Sequence, residues 1–138
     1  MAKKHKKVVV LPCGGIGKVY GALTRETAYE LVEKVRPGVA TLTCLPLLVI
    51  RDPKAVALVT DNPVITIDGC PKECARKSVE AVGGQVAKAH EVIESYKEHR
   101  DLKPGGVAEV DETGRRLAGI AARELAEEVD ELVAGDET

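Results

Sequence analysis

The chain has 138 residues, with 20 Lys and Arg against 22 Asp and Glu, and its net charge of −2 excludes a broadly basic nucleic-acid surface. Its aromatics are three tyrosines, with no Phe or Trp, so the core must be aliphatic and the base-stacking platforms of single-strand binders are missing. No apolar run approaches the roughly 20 residues that span a bilayer, and the expectation is a cytoplasmic protein with reduced cysteines and neither a membrane nor a nucleic-acid partner.

Residues 1–6 form a basic tail, Lys3-Lys4-His5-Lys6 among them, read as a solvated start that keeps the first strand soluble. Residues 7–11 are mostly apolar, the pattern of a strand buried on both faces. A glycine-rich turn follows, then a helix over about 18–35, in which Tyr20, Leu23, Ala28, Leu31, Val32 and Val35 recur at helical spacing. Arg36-Pro37-Gly38 ends it. A second strand is expected over 39–43, ending at Cys44, and 45–50 reads as either a strand extension or a buried loop. Asp52 and Pro53 open a short helix to about Thr60. The third strand is placed at Val64–Asp68, followed by a helix over 71–82 with Pro71 in its first turn and Cys70 as its N-cap. A fourth strand over 85–90, a helix over 91–100 and a last amphipathic helix within 111–134 complete the chain. Packing on its own sheet is the expected role of that last helix, with a homodimer contact as the alternative.

Strands alternating with helices imply an α/β fold: one domain over 1–138, a three-layer sandwich around a mainly parallel sheet of about four strands. Ligands in such sheets collect at the carboxyl ends of the strands. Cys13 ends the first expected strand, Cys44 the second and Cys70 the third, with Cys74 close behind. If the first strand lies between the second and third, all four sulfurs come to one rim. Buried apolar cysteines have no reason to fall at three strand ends.

Four thiolates are the donor set of a structural zinc site. The same residues admit two other readings. One is thiol redox or sulfur transfer with Cys70 or Cys13 as nucleophile, and the other is an iron–sulfur cluster. Lys18, Lys72, Arg76 and the helix N-termini are the positive groups expected to offset the thiolate charge.

Gly14-Gly15-Ile16-Gly17-Lys18 invites a phosphate-loop reading and fails it. Pro12 stands where the first glycine of that motif belongs, and Val19 where its Ser or Thr belongs. A dinucleotide fingerprint fails at Tyr20. Gly14, Gly15 and Gly17 are instead expected to turn Cys13 back over the rim and to offer N–H groups, with Lys18, to a small anion or to sulfur. Asp68 and Gly69 belong to the same surroundings, Asp68 as a turn former that accepts N–H bonds or orients a ligand. His90, at the end of the fourth strand, is the histidine placed nearest the rim. No Ser-His-Asp arrangement or carboxylate pair stands out, and no catalytic residue is assigned.

Three segments carry a resemblance: Pro12-Cys13-Gly14-Gly15-Ile16-Gly17-Lys18, Thr43-Cys44-Leu45-Pro46, and Ile67-Asp68-Gly69-Cys70-Pro71-Lys72-Glu73-Cys74. In this order they resemble the DGC-domain family, described as zinc-binding and named for its Asp-Gly-Cys motif. The likeness covers roughly residues 7–90. It departs from the family at Gly14, where Ser is frequent, and beyond Leu102 no family motif is recognised. The resemblance implies Zn2+ held by Cys13, Cys44, Cys70 and Cys74, with a role in metal handling or regulation.

Overall fold

A computed structural model describes residues 7–15 and 18–134. The basic tail over 1–6, and Ile16 and Gly17 of the glycine turn, lie outside the described residues. Four strands form one sheet: β1 (Val8–Pro12), β2 (Ala40–Leu42), β3 (Val64–Asp68) and β4 (Val86–Glu91). Their order is β2-β1-β3-β4 and every pairing is parallel, so β1 does lie between β2 and β3. Val10 pairs with Leu42 on one side of β1, and Pro12 with Ile67 on the other. The ladder between β3 and β4 slips at Val64 and Ile65, whose partners are Val86 and Lys88. Ala87 is thereby skipped, and the bulge twists an edge strand that would otherwise lie flat and open to pairing.

The helices cover both faces because β1 is apolar on both. Val8 and Val10 pack with Leu23 and Ala28 of α1 (Val19–Tyr29), Val92 of α5 (Val92–Glu98) and Leu117, Ala118, Ala122 and Val129 of α6 (Glu112–Ala134). Val9 and Leu11 pack on the other side with Leu48 of α2 (Leu45–Val49), Ala55 and Val59 of α3 (Pro53–Asp61) and Ala75 and Val79 of α4 (Cys74–Ala81). The result is the expected three-layer α/β sandwich. α6 buries its apolar face against α1 and the sheet, with Leu117 and Val129 fully enclosed. Asp111 caps it by accepting the Gly114 N–H at 2.8 Å. No helix among the described residues is long and apolar enough to cross a membrane.

Beyond Tyr29 the first helix widens to π-helical turns over Glu30–Val35, where the Arg36 N–H reaches back five residues to the Leu31 carbonyl at 2.9 Å. Two local readings need correction. Residues 45–49 are helical, neither strand nor buried loop, because Cys44 is still extended and Pro46 falls in a first turn that suits it. A helix cannot turn five successive apolar residues to one core. Leu48 is buried, and Val49 at the helix end is 66% exposed, as is Ile50 beyond it at 72%. The helix after β3 begins at Cys74 rather than Pro71. Glu73 stands in the left-handed region (φ 51), and its N–H closes a turn on the Cys70 carbonyl at 3.2 Å.

The first turn of α1 sits directly on the loops that leave β1 and β3. A Cβ on Gly21 would collide with the Gly15 carbonyl oxygen, and one on Gly69 would come within 3.0 Å of the Tyr20 backbone. Gly21→Ala therefore has to push α1 off the turn that follows Cys13. We expect a loss of about 1–3 kcal/mol in urea unfolding from crowding, whereas alanine at Gly83 meets nothing within 4 Å. Because Gly83 has φ +88, its own cost comes from backbone strain alone, so the comparison separates crowding from conformation.

Candidate metal centre

The parallel sheet delivers three cysteines to one edge by register alone. The Cys13 N–H continues the ladder to the Ile67 carbonyl at 2.9 Å, and the Thr43 N–H continues it to Val10 at 3.3 Å. Cys13 thus stands beside Asp68, while β2 ends at Leu42 opposite Val10 and leads through Thr43 to Cys44. Cys44 immediately precedes α2 and Cys74 opens α4, and these two helices pack on each other over the same face of the sheet. Cys13 and Leu45 both pack against that face's core. Cys70 lies in the turn between β3 and α4. It shares with Cys13 a small apolar cleft of about 70 Å3, walled by Lys18, Tyr20 and Gly21. That space admits a few water-sized groups and is far below the roughly 300 Å3 at which cofactor pockets begin.

Cys13 and Cys70 are half-buried, Cys44 and Cys74 are exposed, and all four are free thiols. The four sulfurs are not gathered into a ready cage. Among the described residues, the three or more potential ligands whose donor atoms all lie within 4.8 Å of one another are Glu98, His99 and Glu124, at the C-terminal end of α5 and the middle of α6. The N-cap position expected for Cys70 falls to Glu73, and Cys74 is the first residue of α4, so Cys70 lies outside the helix and the two do not share one helical face. Arg76, expected to offset thiolate charge, is engaged by Glu73 at 3.1 Å and Glu80 at 3.3 Å.

Asp68 does accept N–H bonds. Its carboxylate is 2% exposed and takes the Ala75 N–H at 2.8 Å and the Arg76 N–H at 3.3 Å, capping α4 from the end of β3. Burial pushes the carboxyl above its ordinary value, and the two N–H bonds pull part of that back. The side chain is therefore committed to holding the start of α4, and with it Cys74. Gly14, with φ +62, reverses the chain after Cys13. Its N–H donates to the Thr24 hydroxyl at 3.0 Å and its carbonyl accepts from Arg25 at 2.9 Å. Neither Thr24 nor Arg25 was legible as a neighbour of the site. Their one signal is a polar residue, Thr24, on the buried stripe of α1 between Leu23 and Ala28. Gly15 and Lys18 flank the same cleft and are exposed.

His90 takes no part in the cysteine cleft. It pairs with Ile67 across the ladder, hydrogen-bonds through Nε2 to Ser95 Oγ at 2.9 Å, and lines an acidic groove with Glu94, Glu98, Glu124 and Glu128. Burial, with Lys88 adding to it, lowers its pKa, while Glu98 and Glu94 act the other way.

The residues define a small α/β domain with a thiol-lined rim. The DGC-domain family model matches residues 9–117, and the chain belongs to that family. The match extends past residue 90 into the start of α6, so the segment from Leu102 to Leu117, for which no motif was recognised, is part of the family pattern. Neither curated proteins nor solved structures give a match to the chain.

Two outcomes follow. Asp68→Ala leaves two N–H groups of α4 without their acceptor and is expected to cost about 1–3 kcal/mol in urea unfolding. Asp68→Asn, which keeps one acceptor oxygen, should lose less; equal stability of Asp68→Ala and wild type would refute the cap. His90 has a folded pKa below its unfolded one, so its contribution is fully present above the unfolded value and lost as pH falls through the folded one. Urea midpoints at about pH 7.5 and about pH 5 should fall more steeply in wild type than in His90→Gln.

Proposed function

We propose that the rim binds one Zn2+ through Cys13, Cys44, Cys70 and Cys74, and that the protein acts in metal handling or regulation. The observation that carries this reading is the strand order: with β1 between β2 and β3, the residue that follows or closely follows each of three parallel strands is a cysteine, and all three strands end at one edge. The donor set fits the ion. Four free thiols supply the soft ligands that zinc prefers, the small cleft leaves no room for a larger cofactor, and the Asp68 carboxylate is already engaged by the N–H groups of α4.

Zn–S bonds of about 2.3 Å place tetrahedral sulfurs roughly 3.8 Å apart, so the thiols must draw closer than they stand. Cys44 and Cys74 are exposed and have the rotamer freedom to do so. The ion would supply a closed tetrahedral link between the ends of three strands, with the N-termini of α2 and α4 and Lys18 facing the negative charge of the thiolates. The chain's own part is to hold the thiols at one edge and to shield Cys13 and Cys70 in their cleft.

A second reading has its own observation. Cys13 and Cys70 line one cleft, the pairing that a thiol–disulfide or sulfur-relay protein would use. An iron–sulfur cluster on the same thiols is told from zinc by colour.

Protein purified without oxygen or added metal should contain about one zinc per chain, and chelation should release four thiols together to an alkylating or chromogenic reagent. Cys44→Ser and Cys74→Ser should each abolish tight binding, while His99→Ala should retain it, because His99 belongs to the separate Glu98–His99–Glu124 group. Metal-free protein with a readily formed Cys13–Cys70 disulfide would overturn the zinc reading in favour of the second.

A further inference from the structure

Consecutive residues of α1 hold both polar backbone groups of the residue next to Cys13. Thr24 accepts the Gly14 N–H at 3.0 Å, and Arg25 Nη1 donates to the Gly14 carbonyl at 2.9 Å. Thr24 is fully buried, and its hydroxyl also stands 3.8 Å from the Cys13 sulfur. Its single proton goes to the Gly21 carbonyl at 2.6 Å, so toward Cys13 the oxygen serves as acceptor from the thiol. A deprotonated, metal-bound sulfur has no proton to give, and the same hydroxyl can then turn to donate to it. Arg25 reaches further: its Nη2 donates to the Ala108 carbonyl at 3.1 Å, which ties the Cys13 turn to the segment leading into α6.

We propose that Thr24 and Arg25 are positioning residues for Cys13, clamping the turn at Gly14 so that the Cys13 sulfur is presented to the metal of the rim. The proposal rests on the four-cysteine reading. It goes beyond it in assigning to α1, which carries no ligand, the placement of the ligand from β1. The family match to residue 117 includes Ala108, the distant anchor of the clamp. A free cysteine turn has many sulfur positions, and fixing its backbone at both polar groups removes that freedom before any ion arrives.

The test uses the full chain. Zinc affinity is measured by competition with a chromogenic chelator, and cobalt(II) serves as a spectroscopic probe of thiolate coordination. Thr24→Val keeps the shape and removes the hydroxyl, Thr24→Ser keeps the hydroxyl, and Arg25→Gln removes both guanidinium contacts. Thr24→Val and Arg25→Gln should each weaken zinc binding by about 10–100-fold and reduce the thiolate-to-cobalt absorption, with the circular dichroism of the metal-free chain unchanged. Thr24→Ser should recover most of the loss.

Wild-type affinity and cobalt spectrum in both Thr24→Val and Arg25→Gln would overturn the proposal. So would a Thr24→Ser protein as weak as Thr24→Val, since the hydroxyl would then not be the active group. If Thr24→Val fails to fold, the half-buried Arg25 still gives a decisive result through Arg25→Gln. A wild-type chain that takes up neither zinc nor cobalt refutes the four-cysteine reading itself, and the clamp with it, which is a different result from variants that bind like wild type.

Discussion

In a parallel sheet every strand points the same way, so whatever follows each strand arrives at the same edge. That constraint governs this molecule. β1 lies at the centre of the cysteine-bearing strands because its residues are apolar on both faces: Val8 and Val10 belong to one core, Val9 and Leu11 to the other, and all four are fully buried. A strand with no polar face cannot sit at an edge without exposing apolar surface. β2 and β3 flank it, and the turn carrying Cys13 lies between the turns that carry Cys44 and Cys70. β4, the other outer strand, shows the opposite character, with Ala87, Lys88 and Ala89 exposed and a bulge in its register.

The close approach of α1 to this edge is the second constraint. It requires glycine at position 21 over Gly15, and glycine at position 69 under Tyr20. The Asp-Gly-Cys motif can be understood on this basis without any metal. Asp68 is the last residue of β3 and caps α4, Gly69 lets β3 exit beneath α1, and Cys70 is the first side chain free to face the cleft. Each residue of the motif has its own partner on a different element, and their adjacency in sequence follows from the narrowness of the exit.

Much of this was legible in the chain. β3 falls where the run from Val64 to Asp68 placed it, since Pro63 and Gly69 bound the β-branched stretch Val64-Ile65-Thr66-Ile67 and its closing Asp68, and the Asp52-Pro53 start of α3 is a local signal, realised as an Asp52 side chain that accepts the Ala55 N–H at 3.0 Å. The misreadings share a cause. Pro46 and Pro71 carry the same local message, a residue tolerated in a first helical turn, and only Pro46 uses it. After Pro71 the chain must climb from the rim to the Asp68 carboxylate before its N–H groups can be capped, and Glu73 adopts φ 51 on the way. That distance is a property of the tertiary fold and leaves no trace in residues 70–74. Thr24 and Arg25 escaped for the same reason, because their partners at Gly14 and Ala108 are set by how α1 lies on the sheet.

The two cores bear on what a rim-bound ion would be for. Both are complete without the cysteines: of the four, only Cys13 packs against either, and only partly. A fold held by this much buried aliphatic surface has no need of a metal to form, unlike a zinc finger, in which binding free energy is folding free energy. Under the proposed reading, then, loss of the ion would loosen the turns after β1, β2 and β3 while leaving the sheet and α6 in place. Such a site can exchange metal without unfolding, and its free-thiol and loaded forms would differ at one edge of the molecule only. The exposed Val49 and Ile50 lie at and just beyond the end of α2, the helix that Cys44 opens, so a change at the rim would move an apolar surface as well as a charge. Under the proposed reading, such a coupling would suit a protein whose metal content is read by something else better than one whose metal is a passive staple.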